Sequence, residues 1–473
     1  MSDRHWSYEE LGTAELGDAR RTRRLVKVAK TLSKKVGHTM GAAMDMAGAK
    51  AAYRLFNEPS VTPEAILAPH TQQTLLRMKA EPVVLVAQDT TVLNFSSHEE
   101  AEGFGGIGGG YATNHGCFLH SALAFNEAGV PLGILSAKQW ARPQKSKITP
   151  NKKSKAKKES ARWGETVESI SALPLPQTKV VHLADQEGDD WSLLSACVEQ
   201  NASYVIRADG LRGVKPGISL RDTMLAAEVM GYNIVPVSAK KLRKGHGAGA
   251  WSPGNDRPAA EAREAKVEVR VKVVTMPKTR TRTDGQKSIT MTVVSAIEVA
   301  PPKGIKDPLE WHLMTDQPVT SLAEAERIIA WYRQRWAIET WHRTLKSGIK
   351  VEDCRLSTYD RMQRYISLAA ILAWRIDWMV KVAREQPETP VEALLDPMEI
   401  EILKRSSRNR SKQLLTIRDG IRQIAMLGGF TGLKSAGEPG SLTLWRGWTE
   451  LMAKVDVLQT FLPKLKVKDV GSR

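Results

Sequence analysis

The segment Trp331-Tyr-Arg-Gln-Arg-Trp-Ala-Ile-Glu339-Thr-Trp-His-Arg-Thr-Leu-Lys346 predicts a long helix. Ser321 and Glu324 lie just upstream with the spacing of a capping box, and neither Gly nor Pro interrupts the chain from there to the end of the segment. At 3.6 residues per turn, one face of this helix carries four polar side chains, Tyr332, Arg335, Glu339 and Lys346. A phenol, a guanidinium, a carboxylate and an ammonium would therefore point the same way.

This polar face has two interpretations. One is a solvated surface with ion pairs between neighbouring turns, such as Arg335 with Glu339. The other is phosphodiester chemistry, in which the carboxylate binds a metal and the cations bind phosphate oxygens. The second interpretation requires further carboxylates elsewhere in the chain.

Composition favours a polyanionic partner. The chain has 473 residues, a net charge of +17 and a pI near 9.7, so nucleic acid is the first candidate and two to four domains are expected.

The start of the chain lacks the apolar core of a signal peptide, and the most apolar run is broken by Arg375 and Asp377, so no membrane association is expected. Three scattered cysteines indicate a reducing compartment, the cytoplasm, and no zinc cluster.

A basic helix is predicted near the N-terminus. Asp18 is a candidate N-cap, and Leu25, Ala29 and Leu32 recur at helical spacing. The region from residue 20 to residue 35 contains no acid and eight basic residues: Arg20, Arg21, Arg23, Arg24, Lys27, Lys30, Lys34 and Lys35. Such a helix is either a solubilising surface or a DNA-binding element, and the absence of acids favours DNA. Further basic loops are expected at about 142–158 and 240–244.

Two apolar runs end in a carboxylate. Residues 82–88 read as a buried strand with Asp89 at its exit, and residues 179–184 repeat the pattern with Asp185. Taken alone, the acidic turn after Asp185 is more often a helix cap than a metal site. Strand exits are, however, where α/β folds place ligands.

The rest of the chain supplies the surroundings of these carboxylates. A hairpin is predicted across Asn126–Gly129, a short strand ends at Arg207, a β-rich insertion covers about 210–305, and Trp311 begins the strand before the polar helix. The Gly-rich run at 105–110 is followed by Tyr111 and Ala112 where a phosphate loop needs Lys and Ser or Thr. No nucleotide cofactor is therefore expected.

Asp89, Asp185 and Glu339 form a candidate catalytic triad that also binds metal. Their oxygen atoms suit Mg²⁺, with Mn²⁺ as a substitute. Two such ions about 4 Å apart activate an attacking hydroxyl and stabilise the leaving oxygen in phosphodiester exchange.

These residues resemble those of the DDE transposases of the IS-four family, most closely the Tn-five type. The motif Tyr-x2-Arg-x3-Glu-x6-Lys is complete from Tyr332 to Lys346. Further similar segments occur in the same order: Leu16-Gly-Asp-Ala-Arg-Arg-Thr-Arg-Arg-Leu25, Glu159-Ser160 with Trp163, Pro301-Pro-Lys-Gly304 and Leu427-Gly-Gly-Phe430. The resemblance covers essentially the whole chain.

The resemblance implies an RNase H-like α/β core with a β insertion, flanked by two helical domains. Residues 1–61 would bind the transposon end, 62–384 would form the catalytic domain and 385–473 would dimerise. It implies cut-and-paste transposition in a synaptic homodimer on double-stranded DNA, through a nicked 3′ end, a hairpin and strand transfer into target DNA. By position, Tyr332, Arg335 and Lys346 would contact phosphates, Trp311 would stack on a flipped base and Arg207 would lie nearby. The basic residues Arg20, Arg21, Arg23, Arg24 and Lys27 are the further DNA-binding candidates.

One departure and two alternatives bear on this expectation. The turn after Asp185 reads Gln-Glu-Gly-Asp-Asp, where the closest relatives have Arg in place of Gln186. An RNase H-like nuclease or resolvase would cleave without strand transfer. A non-catalytic DNA-binding protein derived from a transposase is disfavoured by the intact triad.

Overall fold

The computed structural model describes residues 5–98, 100–107, 114–142, 159–238, 261–278, 287–305, 307–406, 414–433 and 436–468. The predicted basic loop at about 142–158 beyond Arg142, the predicted basic loop at 240–244 and residues 108–110 of the Gly-rich run lie outside these ranges. Among the described residues, no helix is both long and apolar enough to cross a membrane.

Five helices form the N-terminal part of the chain: α1 (Trp6–Leu11), α2 (Ala19–Lys34), α3 (Met40–Ala43), α4 (Met46–Asn57) and α5 (Pro63–Lys79). Asp18 caps α2 as predicted, because its carboxylate accepts the Arg20 backbone N–H at 2.7 Å. Leu25, Ala29 and Leu32 are buried, which leaves the basic residues on the outer faces of α2.

A central mixed sheet carries the core. Its first strands are β1 (Val83–Asn94), β2 (Gly105–Gly106), β3 (His115–Asn126), β4 (Pro131–Trp140), β5 (Lys179–Ala184) and β6 (Ser203–Arg207). The predicted hairpin is confirmed as β3 and β4. β4, β3 and β1 pair antiparallel, and β1, β5 and β6 pair parallel, so the strands lie in the order β4-β3-β1-β5-β6. Three antiparallel strands followed by two parallel ones form an RNase H-like core, as the resemblance implied.

The prediction that β1 ends at Asp89 is wrong. The parallel pairing with β5 is last recorded at Ala87 opposite Leu183, but β1 continues to Asn94 along β3. The physical reason is the antiparallel partner, which keeps satisfying backbone groups beyond Asp89. Asp89 therefore lies where parallel pairing stops, within a longer strand.

Helices α6 (Ala161–Ser171) and α7 (Trp191–Glu199) pack beside β5, and the predicted β-rich insertion follows β6. It contains β7 (Gly213–Lys215), β8 (Ile218–Ser219), α8 (Leu220–Leu225), β9 (Val229–Val237), β10 (Arg263–Pro277) and β11 (Ser288–Glu298). β12 (Glu310–Thr315) then returns beside β6, so β9 to β12 extend the central sheet.

The predicted continuous helix from Ser321 to Lys346 is interrupted. The Ser321–Glu324 capping box is present and starts α9 (Leu322–Gln334), but Arg335 separates α9 from α10 (Trp336–Arg343). A π-helical turn (Thr344–Gly348) follows α10. The break arises because the chain tightens at Arg335, whose N–H bonds to the Tyr332 carbonyl at 3.0 Å.

The last helices are α11 (Tyr359–Glu385), α12 (Pro397–Ser406), α13 (Ile417–Leu427) and α14 (Ser441–Lys468). α11 runs through the molecule: its Trp374 indole donates to the Pro131 carbonyl at 3.0 Å, and its Arg364 donates to the Val61 carbonyl. The N-terminal helices α2, α4 and α5 and the C-terminal helices α13 and α14 pack on α11, and α5 also packs on the sheet.

Candidate active site

The two aspartates lie on neighbouring strands. Ala87 and Leu183 are directly paired in the parallel ladder, so Asp89 and Asp185, each two residues further on, emerge at the same edge and on the same face. Burial and then the Asp185 carboxylate raise the pKa of Asp89 to about 7, Arg335 and the Thr90 N–H oppose this rise, and the Glu339 carboxylate makes the smallest contribution to it. The three carboxylates therefore share one electrostatic site, although they come from distant parts of the chain.

Backbone N–H groups orient both aspartates. Asp89 accepts the N–H of Thr90 at 2.7 Å, and Asp185 accepts the N–H of Glu187 at 2.9 Å, which caps a short 3₁₀ turn. Within the acidic turn, Asp190 caps α7 and Asp189 pairs with Arg212. Asp185 therefore both caps this turn and contributes to the carboxylate site, whereas Asp189 and Asp190 make structural contacts.

Glu339 faces Arg335 rather than completing a ligand set. Arg335 Nη2 lies 2.6 Å from Glu339 Oε1, and the arginine side chain is only 9% exposed. Across the part of the chain that the structure describes, no three His, Cys, Asp or Glu side chains converge closely enough to hold a metal ion. The donor set nevertheless fits a divalent cation. Neighbouring negative charges raise the pKa of Asp89, and a bound cation would offset their repulsion and stabilise the ionised carboxylates.

An aromatic and basic cluster lies beside the carboxylates. Trp311 on β12 meets Tyr332 edge to face, with ring centroids 5.0 Å apart, and Arg335 lies 5.8 Å from the Tyr332 ring. Burial raises the pKa of Tyr332, Asp185 adds to this effect, and Arg335 and Arg207 oppose it. Trp311, Tyr332 and Arg335 therefore lie together beside the carboxylates.

Lys346 also reaches the site, although its helix is not regular. It lies in the π-helical turn, where burial lowers its pKa and the charges of Glu352 and Asp89 raise it. The basic residues of α2 lie on a separate surface. Arg20 pairs there with Asp18, and Arg21 pairs with Glu58, while Arg23, Arg24 and Lys27 are exposed.

Sequence reasoning missed two groups at the site. His342 Nδ1 lies 3.7 Å from Asp89 Oδ2, and burial, with the charges of Lys346 and Arg335, lowers the pKa of His342 to about 3. Arg162, at the start of α6, contacts both Thr90 and Glu187. A spacing of three residues from Glu339 was an available signal for His342, whereas no local pattern indicated the partners of Arg162.

The fold and site define an RNase H-like protein with a carboxylate cluster and a basic exterior. Three family models match this chain: "Transposase DNA-binding" over residues 3–61, "Transposase DDE domain" over 159–375 and "Transposase Tn5 dimerisation domain" over 371–460. The chain belongs to the DDE transposases of the Tn5 type. The matched DDE region includes Asp185 and Glu339, while Asp89 precedes it.

The family assignment has consequences for partners and chemistry. The DNA-binding model supports DNA as a partner, the dimerisation model suggests a homodimer, and the DDE domain implies dependence on a divalent metal. Among solved structures, the chain is similar to a piggyBac transposase in a synaptic complex with hairpin DNA, at 9% identity and a TM-score of 0.33. That match covers 68% of this chain and about half of the other, 52%.

Proposed function

We propose that the protein is a cut-and-paste DNA transposase that binds the inverted repeats at transposon ends. The observation that carries this proposal is the shared electrostatic site of Asp89, Asp185 and Glu339 beside Arg335 and Lys346. Carboxylates can balance the positive charge of metal ions, and cationic side chains can balance the negative charge of phosphate. A site that contains both therefore suits phosphodiester chemistry. The basic helix α2 provides a separate surface for the DNA duplex.

Each residue has a distinct role in the proposed reaction. Asp89, Asp185 and Glu339 hold Mg²⁺ or Mn²⁺, two ions per site, which when bound would supply an activated oxygen nucleophile and stabilise the leaving oxygen. Arg335 and Lys346 hold phosphate oxygens at the cleaved end, and Tyr332 supports Arg335 by packing against it. For Glu339 to act as a ligand, its ion pair with Arg335 has to open, which would free the guanidinium for phosphate.

The proposed order of steps is the one that the resemblance to the Tn5-type transposases implies. A first cut frees a 3′ hydroxyl, this hydroxyl attacks the opposite strand to form a hairpin, and the reopened end is joined to target DNA. Hairpin formation bends the strand sharply, and an extrahelical base needs an aromatic surface. Trp311, which meets Tyr332 edge to face, offers such a surface, with Arg207 near the same tyrosine.

Cleavage of DNA that carries the inverted repeats flanking this gene tests the proposal. Wild-type protein with Mg²⁺ should give hairpin-capped ends on a denaturing gel, and with target DNA it should give joined products. Glu339→Gln should lose both, by at least about 10³-fold, because a metal ligand is removed. Glu326→Gln, a half-buried carboxylate on the preceding helix α9, serves as the matched control and should cleave like wild type.

The alternative, an RNase H-like nuclease or resolvase, predicts a different product pattern. It gives nicks without hairpins and without joined target DNA. Equal cleavage by wild type and Glu339→Gln would place the active site elsewhere.

A further inference from the structure

Arg162 connects the two segments that present the aspartates. Its Nε donates to Thr90 Oγ1 at 3.0 Å and its Nη2 donates to Glu187 Oε1 at 2.9 Å. Its Nη1 donates to the Glu159 carbonyl at 2.7 Å, and the side chain is only 13% exposed. One guanidinium thus joins β1, the turn after β5 and the start of α6.

The two residues that Arg162 holds are the same two that orient the carboxylates. The backbone N–H of Thr90 donates to Asp89, and the backbone N–H of Glu187 donates to Asp185. In each case the side chain accepts from Arg162 while the main chain donates to the aspartate. The arrangement is therefore symmetrical about the guanidinium, and a shift of Arg162 would move both N–H donors.

A buried hydrogen-bond chain anchors the Thr90 end of this arrangement. Because Arg162 can only donate, the Thr90 hydroxyl is free to donate to His120 Nδ1, 2.9 Å away. His120 Nε2 then carries the proton and donates to Gln88 Oε1 at 3.3 Å, and the Gln88 amide donates to His182 Nδ1 at 3.1 Å. Burial lowers the pKa of both His120 and His182, so both rings are neutral, as this direction of donation requires.

Aromatic rings restrict where the guanidinium lies. It sits over the ring of Trp140 at 5.2 Å and near that of Trp163 at 5.8 Å, and Trp163 also packs edge-on against His120. A planar group with several fixed donors suits this setting, whereas the single ammonium of lysine has neither the plane nor the span.

We propose that Arg162 is a positioning residue that sets the separation and orientation of Asp89 and Asp185 for metal binding. This inference rests on the proposed function, since it assumes that the two aspartates are metal ligands. Groups that orient metal ligands typically contribute a factor of about 10–100 in metal affinity. Arg162 acts through Thr90 and Glu187 and does not touch the reacting atoms in this account.

Mn²⁺ binding to the full-length protein, measured by isothermal titration calorimetry, is the primary test. Arg162→Gln should weaken Mn²⁺ binding by about tenfold or more, and Arg162→Lys should bind Mn²⁺ with intermediate affinity. Arg142→Gln is the matched control, because Arg142 pairs with Glu159 and stacks on Phe118 in the same region. Its Mn²⁺ affinity should stay within about twofold of wild type, since no contact with either aspartate-bearing segment is lost.

DNA affinity and the Mg²⁺ dependence of cleavage separate positioning from other roles. Arg162→Gln should keep wild-type affinity for transposon-end DNA in the absence of metal, and the Mg²⁺ concentration for half-maximal cleavage should rise. Unchanged Mn²⁺ binding with weaker, salt-dependent DNA binding would overturn the proposal and make Arg162 a phosphate contact. If Arg162→Gln fails to fold, Thr90→Val and Glu187→Ala each remove one acceptor, and each should weaken Mn²⁺ binding.

The two proposals fail in different ways. Wild-type protein that neither binds Mn²⁺ nor cleaves DNA would contradict the proposed function. Wild-type protein that binds and cleaves, beside an Arg162→Gln variant that does so equally well, would contradict only the role of Arg162.

Discussion

The cations of the active site and those of helix α2 are the same residue types in opposite surroundings. Arg335, Arg162 and Lys346 are wholly or partly buried and act on carboxylates within the site. Arg23 and Arg24 on α2 are exposed. The effect of a buried charge depends on one partner and on the geometry of the pair, because removal of either residue leaves the other charge buried and uncompensated. Exposed charges attract a polyanion from a distance and are screened by salt.

The buried cations of the site and the exposed cations of α2 therefore contribute differently, the first to cleavage of DNA and the second to its binding. Substitutions in the site should have large effects on cleavage that depend little on salt. Substitutions on α2 should have small, roughly additive effects on binding that depend strongly on salt. The predictions below challenge this division, starting with the largest effect.

Arg335→Ala should reduce cleavage at saturating DNA by about 10²–10³-fold, the usual loss when one donor to a developing charge is removed. The guanidinium bonds Glu339 and lies within a buried cluster, so Arg335→Lys should recover only a small part of the rate. Single-turnover cleavage at 50 and 200 mM salt measures the effect.

Arg333→Ala is the control for this experiment, because Arg333 lies in the last turn of α9, two residues before Arg335, but is exposed. Its cleavage rate should stay within a few-fold of wild type. A loss for Arg335→Ala that vanishes at low salt would mean that Arg335 acts by general attraction, as on α2, and would break the comparison.

Asp377 extends the contrast to a buried acid away from the site. It lies within α11, where Thr344 and Ser441 each donate to Oδ1 at 2.8 Å, and burial raises its pKa to about 6. Its folded pKa lies above the unfolded value near 3.8, so the stability that it contributes is present at low pH and lost as pH rises through about 6. Asp377→Asn should therefore stabilise the protein at pH 8 by up to about 3 kcal/mol.

Thermal melts at pH 5 and pH 8 measure this effect. The gain in Tm of Asp377→Asn over wild type should be larger at pH 8. Asp360→Asn is the control, since Asp360 begins the same helix with a side chain that is 79% exposed. A gain in Tm that is equal at both pH values would show that Asp377 does not titrate in this range.

The sequence predicted the helices and strands of the fold better than the residues at which they end or break. Apolar runs identified β1, β5 and β6, because buried parallel strands are almost continuously apolar. Asp18 and the Ser321–Glu324 pair identified helix starts through local hydrogen bonds. The extension of β1 beyond Asp89 was missed because it depends on pairing with β3. The break at Arg335 was missed because a tightened turn within an uninterrupted helical pattern has no Gly or Pro to mark it.

The candidate site divides in the same way. The residues from Tyr332 to Lys346 could be named from spacing on one helix, and Asp89 and Asp185 from their positions after apolar runs. The ion pair of Arg335 with Glu339 was one of the two sequence interpretations, and it occurs inside the site. The partners of Arg162 are 72 and 25 residues away in the chain, so only the folded sheet brings them together.

The smallest expected effect belongs to α2. Arg24→Gln should weaken binding to transposon-end DNA modestly and reduce the slope of log affinity against log salt by about 1, because one phosphate contact is lost. Arg20→Gln should change the slope less, because Arg20 already pairs with Asp18 at 2.9 Å. Fluorescence anisotropy between 50 and 200 mM salt measures both slopes. Equal slopes for Arg24→Gln and wild type would argue against α2 as part of the DNA interface. A large loss of DNA affinity that salt does not alter would instead indicate that Arg24 contacts base edges in a DNA groove.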